Sequence, residues 1–157
     1  MNRKLKVILI VLLIACAFTA CWDAQQNRKT YTGEKTEDNS TIKLEMSAVS
    51  DQLVQIIQTT TVLLDDYDEQ ALKQIDQNVA DTKAAYDGKD GVSYVYEYVD
   101  DSLVEIITID MQKADLSILQ EDGILCFDGK NTDSVSVSSS MEYLKELGFS
   151  FEENRLT

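Results

Sequence analysis

The chain has 157 residues, room for one ordinary domain, and carries 14 basic against 28 acidic residues for a formal charge of −14. Such an acidic surface repels nucleic acid and anionic lipid headgroups, which excludes a nucleic-acid-binding role and leaves any membrane attachment to a lipid. The absence of histidine removes Ser-His-Asp and Cys-His catalysis and the ordinary His-bearing zinc sites.

Arg3, Lys4 and Lys6 precede an apolar run of 12 residues, Val7 to Phe18, which is the layout of an export signal. The run is shorter than the roughly 20 apolar residues of a membrane span, and Asp23 follows soon after it. Its end, "LIACAFTACWD", places small residues directly before cysteine, the arrangement in which a thiol is joined to diacylglycerol and the chain is cut before it. Two cysteines compete. Cleavage at Cys16, after Leu13 and Ala15, would shorten the apolar run to about eight residues, whereas Cys21, after Thr19 and Ala20, keeps its full length and has a polar sequel. The expectation is a signal peptide over residues 1–20, lipidation at Cys21 with Cys16 as the alternative, and a polar tether over 21–29; an ordinary secretory signal or an uncleaved anchor is the other reading. Cleavage before Cys21 removes three of the 14 basic residues and no acidic one, so the mature chain carries −17. Cys126, in "GILCFDG", then lacks an intramolecular disulfide partner and reads as a small buried apolar residue, with a reactive thiol as the alternative.

Folded structure is expected from near Thr30 as one domain over 30–157. From Thr41 the sequence alternates, with Ile42, Leu44, Met46 and Ala48 on one face, and predicts a half-buried strand. Ser50-Asp51 offers a turn, and the β-branched run from Gln52 to Val62 predicts the returning strand of an antiparallel hairpin. A change of period predicts a helix over about 68–86: Leu72, Ile75, Val79 and Tyr86 share a side, Asp66 with Glu69 forms a capping box, and Gly88 supplies a left-handed stop. "VSYVYEYVDDSLVEIITIDM" predicts a second hairpin around Asp100-Asp101, pairing Tyr98 with Leu103, Tyr96 with Glu105 and Tyr94 with Ile107. One face then carries the three tyrosines with Leu103, Ile107 and Ile109. A short helix should follow in "KADLSILQEDG". Another is expected in "SSSMEYLKELGF", capped by Ser139 and Glu142, with Met141, Leu144 and Leu147 inward and Gly148 at the stop; Phe149 and Phe151 begin a terminal strand.

Candidate chemistry narrows mainly by elimination. One cysteine in the mature chain excludes thiolate clusters and CxxC redox chemistry, and neither GxGxxG nor GxxxxGK[ST] occurs. Carboxylate pairs abound at Asp65-Asp66-Asp68-Glu69, Asp87-Asp90, Asp100-Asp101 and Glu121-Asp122, but each has a local explanation as helix cap, turn or helix end. No segment fits a calcium loop: "DDYDEQ" lacks the glycine and "YDGKDG" has its acids misplaced. No catalytic residue, metal ligand or cofactor is therefore expected. The stripe Tyr94, Tyr96 and Tyr98 could stack a sugar or an extended peptide, or could pack against the long helix with its hydroxyls at the margin.

Together, the signal, "YTGE" at 31–34, "GVSYVYEYVDD" at 91–101, "ITIDMQKADL" at 107–116 and "SSSMEYLKELGF" at 138–149 resemble the small bacterial YehR-like lipoproteins, a family grouped under a domain of unknown function. The match spans roughly residues 30–151, with Met111 standing where the family pattern has an aromatic. The resemblance implies an α+β domain on a lipid anchor and supplies no catalytic residues. The architecture expected is an antiparallel sheet of two β-hairpins packed by one long helix, with two short C-terminal helices. The function expected is that of a membrane-anchored, extracytoplasmic lipoprotein acting as a non-catalytic binding module, with an envelope protein or a small molecule as partner. Solute or divalent-metal binding is the first alternative and a small envelope hydrolase the second.

Overall fold

The computed structural model describes residues 28–121 and 135–154. Cys16, Cys21 and Cys126, with the signal and most of the tether, lie outside the described residues.

Six strands form one antiparallel sheet: β1 (Arg28–Glu37), β2 (Ser40–Val49), β3 (Gln52–Leu63), β4 (Val92–Val99), β5 (Ser102–Asp110) and β6 (Ser150–Asn154), in the order β4-β5-β3-β2-β1-β6. Three helices accompany them: α1 (Glu69–Tyr86), α2 (Leu116–Glu121) and α3 (Val137–Glu146). Both expected hairpins are present, and the second has the predicted register, with Tyr94, Tyr96 and Tyr98 opposite Ile107, Glu105 and Leu103. The sheet is wider than expected because Arg28–Glu37 is a strand too, starting two residues before Thr30 and holding β6 on its free side. Its sequence, "RKTYTGEKTE", gives almost no alternation, since its central helix-side position is Gly33, whose missing side chain is replaced by the ring of Phe151 from β6.

All three hairpins close through two-residue turns whose first residue has positive φ: Asp38 (38°), Ser50 (58°) and Asp100 (51°). Short polar side chains tolerate that region better than branched ones, which explains Asp and Ser there. The Ser50-Asp51 turn also anchors α3. Asp51 accepts hydrogen bonds from Ser136 Oγ (2.6 Å) and Ser138 N (3.0 Å), and these hold its carboxyl below the usual range. Ser136 in turn accepts from Ser139 N at 3.2 Å, so the cap of α3 is Ser136 and not Ser139. At α1 the cap is also shifted, here two residues later than the sequence suggested: Asp68, not Asp66, accepts from Ala71 N at 2.8 Å. Both shifts arise because a capping pattern can be read at several positions in an acid- or serine-rich run, and only the chain's exit from the preceding element selects one.

The helix-side face grows more polar from one end of the sheet to the other. Near the Ser50 turn, Val92, Ile109, Ile56, Met46 and Tyr31 lie in one row across five strands. The next row alternates as Tyr94, Ile107, Gln58, Leu44, Gly33 and Phe151. The third row reads Tyr96, Glu105, Thr60, Ile42 and Lys35. The main core therefore sits at the Ser50 end, where Met46, Ala48, Leu53, Ile56 and Ile109 meet Leu116, Leu119, Val137 and Leu144. Leu147, expected inward, is instead 43% exposed, beyond the last turn of α3. On α1 only Val79 is buried, so the periodic face of that helix covers the sheet's edge rather than its centre. No helix among the described residues is long and apolar enough to cross a membrane.

Candidate functional site

Strand β4 is one edge of the sheet, and α1 runs alongside it. Alternation along β4 puts Tyr94, Tyr96 and Tyr98 on the helix side, as the sequence indicates. Their rings form a ladder continued by Tyr86 at the end of α1: Tyr86 stacks on Tyr94 (centroids 5.8 Å apart), Tyr94 on Tyr96 (5.9 Å), and Tyr96 meets Tyr98 edge-on (6.3 Å). The ladder packs on the helix and also remains accessible. Tyr96 and Tyr98 are 40% and 48% exposed.

Two carboxylates border it. The Tyr94 hydroxyl donates to Glu105 Oε1 and the Tyr98 hydroxyl to Asp76 Oδ1 on α1, both at 2.5 Å. Burial and the anionic Glu105 push the Tyr94 phenol well above its usual range, so it stays protonated and donating. Asp76 and, less strongly, burial push Tyr98 up to about 12. Each phenol therefore remains the donor of its pair through the neutral range.

Glu105 interrupts the inward apolar stripe of β5. Its position in β5 faces the same side as buried Leu103 and Ile109, where an apolar residue would fit the alternation. Gln58 and Thr60 beside it in β3 are half-buried and joined by a hydrogen bond from Gln58 Nε2 to Thr60 Oγ1 (3.2 Å). α1 lies along β4 and α3 against β6, at the two edges of the sheet, and this polar strip belongs to strands between those edges. Among the described residues no lysine or arginine pairs with Glu105. Gln58, Thr60, Asp76, Tyr86 and Glu105 were missed as site residues. The one signal available was an acidic side chain interrupting an inward apolar stripe.

Several other acidic residues serve the frame. Asp100 and Asp101 make the β4–β5 turn, Asp87 follows α1 as its C-cap, and Asp65 and Asp66 precede the Asp68 cap. The backbone N–H groups of Leu63 and Leu64 donate to the carbonyls of Asn39 and Asp101 (2.8 Å each), which gathers these turns at one end of the sheet. Among the described residues no group of three or more acidic or cysteine side chains is arranged to hold a metal. On the opposite, helix-free face a depression of about 410 Å³ is lined by Thr32, Glu34, Thr36, Gly148, Ser150 and Glu152, away from the tyrosines.

Residues 27–150 match a family described as "Protein of unknown function (DUF1307)". The chain belongs to the DUF1307 family. Among solved structures, this DUF1307 chain is similar to YehR of E. coli, determined by NMR, with a TM-score of 0.66 and 16% identity over 85% of this chain and 95% of that one. It is also similar to a protein from Streptococcus pneumoniae TIGR4, likewise from NMR, with a TM-score of 0.53 and 14% identity over 86% of this chain and 92% of that one. At these identities the likeness is one of fold, and it confirms the YehR-like, α+β reading of the sequence. No match was found among curated protein sequences.

Proposed function

We propose that this DUF1307 protein is an extracytoplasmic lipoprotein, held at the cell membrane by a diacylglyceryl group on Cys21, whose domain is a non-catalytic binding module. The attachment rests on the basic, apolar, small-then-cysteine order of the first 21 residues. The binding role rests on one observation: the half-exposed tyrosine ladder of β4, bordered by Glu105 and Asp76, with the polar side chains of Gln58 and Thr60 in the neighbouring strand. Rings that only fill a core are covered; here Tyr96 and Tyr98 stay 40% and 48% exposed on a rigid strand, which offers apolar contact area with polar edges to a small ligand. Each ring is already held by ring contacts, and Tyr94 and Tyr98 also by a hydrogen bond, so little ordering entropy remains to be lost on binding.

The anchor is tested by mass spectrometry of the mature N-terminus with and without globomycin. A diacylglyceryl-modified Cys21 in treated cells' precursor, and its cleaved form without the drug, is expected. An unmodified N-terminus, or modification at Cys16, overturns the assignment of Cys21. The binding role is tested by ¹⁵N NMR of the full chain in nonionic micelles against envelope small-molecule fractions, with shifts concentrated on β4 and β5 expected. Saturable shifts confined to the helix-free face would move the site there.

A further inference from the structure

Resting on that binding reading, we infer that the corner formed by Tyr94, Tyr96 and Glu105 takes a protonated organic amine. Glu105 is a half-buried carboxylate on the helix side of the sheet whose Oε1 accepts from Tyr94 and which no cationic side chain among the described residues neutralises. Its hydrogen-bond partner is a neutral phenol, and a bound cation would supply the counter-ion that the described side chains do not. The neighbours suit one kind of cation. Tyrosine faces carry negative quadrupole density; Tyr86 and Tyr96 already cover the Tyr94 ring, but Tyr96, directly opposite Glu105 in the pairing, is 40% exposed beside the carboxylate.

Hydrogen bonding then separates ammonium types. The Tyr94 hydroxyl occupies Oε1, which leaves Oε2 as an acceptor for an N–H that a primary ammonium has and a tetraalkylammonium lacks. A metal ion is less suited, since it wants several oxygen ligands and no group of three acidic side chains is assembled among the described residues. Apolar surface for the amine's carbon chain is present in Ile107, part-buried beside Tyr94 in register. The surplus of acidic residues over the whole chain raises the local concentration of any small cation and weakens with added salt.

The test is a ¹⁵N NMR titration of the full chain in nonionic micelles with n-butylammonium, tetramethylammonium and methyl glucoside as separate probes. Saturable shifts at Tyr94, Tyr96, Glu105 and Thr60 are expected with butylammonium, with affinity at least about fivefold above tetramethylammonium. Glu105→Gln should weaken butylammonium by about tenfold or more, and Tyr96→Leu by a smaller factor of about threefold. Val95→Thr, on the opposite face, serves as a folded control and should leave affinity unchanged. Equal affinity for butylammonium in wild type and Glu105→Gln, each with a dispersed native spectrum, overturns the inference. Methyl glucoside shifting the tyrosines while butylammonium does not also overturns it but leaves the binding reading standing. Failure of every probe and of the envelope fractions to shift any residue of β4 or β5 overturns both.

Discussion

Replacing Gly33 by alanine tests the least obvious contact of the fold. Gly33 lies opposite Phe151 in the β1–β6 pair, and a Cβ built on it would stand 2.4, 2.7 and 2.8 Å from the Cε1, Cζ and Cδ1 atoms of that ring. Those are far inside van der Waals contact, so the ring must move. It is not free to do so without loss, because Phe151 packs on the main core and lies 6.4 Å from Phe149. Overpacking of this kind costs roughly 1–3 kcal/mol. Alanine offsets about 0.4–1 kcal/mol of that by restricting the unfolded chain, since Gly33 has no positive φ that alanine would find strained. The net expectation is destabilisation of about 1–2 kcal/mol, read from urea unfolding monitored by circular dichroism, with a fall in Tm of roughly 3–6 °C. Combining Gly33→Ala with Phe151→Leu should cost about 0.5–1 kcal/mol less than the sum of the two single changes, because the smaller side chain leaves room. A Gly33→Ala variant as stable as wild type, or strict additivity with Phe151→Leu, would refute the placement of β6 over Gly33.

Further expectations concern caps, turns and pH. Asp68→Ala should destabilise by about 0.5–2 kcal/mol through loss of the α1 cap, whereas Asp66→Ala should be close to neutral; the reverse order in thermal melts would restore the sequence-based capping box. Gly91 and Gly88 both have positive φ (72° and 75°), but a Cβ on Gly91 would meet the backbone N of Ala114 at 2.6 Å and one on Gly88 would meet nothing within 4 Å. Gly91→Ala should therefore lower Tm clearly more than Gly88→Ala, which bears only a strain of about 1 kcal/mol. Alkaline pH should unfold the domain by linkage. Tyr98 is raised to about 12 and Tyr94 is raised too, so the folded state resists deprotonation that the unfolded chain undergoes near the ordinary phenol value of about 10. The stability these groups contribute is intact below about pH 10 and is lost as pH rises toward about 12. A Tyr94→Phe/Tyr98→Phe double variant should show a shallower loss of stability over that interval; an unchanged slope would mean the two phenols are not held by Glu105 and Asp76.

By itself the sequence determined whatever depends on local period. Alternation in Ile42 to Ala48 and in Tyr94 to Ile109 marked strands, faces and the register of the second hairpin, because a two-residue turn at Asp100-Asp101 leaves only one pairing that keeps apolar side chains on one side. The long helix and its glycine stop were legible for the same reason. What only the tertiary structure decided involves residues far apart in the chain. Strand β1 has no strong pattern of its own and is a strand because β2 and β6 both pair with it, the latter from more than 100 residues away. The caps at Asp68 and Ser136 were chosen by the geometry of loops, and Ser136 by Asp51 across 85 positions. Glu105 read as one acid in a strand, opposite Tyr96; folding joined it by a hydrogen bond to the diagonal Tyr94, set Gln58 and Thr60 alongside, and brought Asp76 of the helix to Tyr98. Period records which way a side chain points, but a site is made by what meets it across strands and helices, and that is settled by packing.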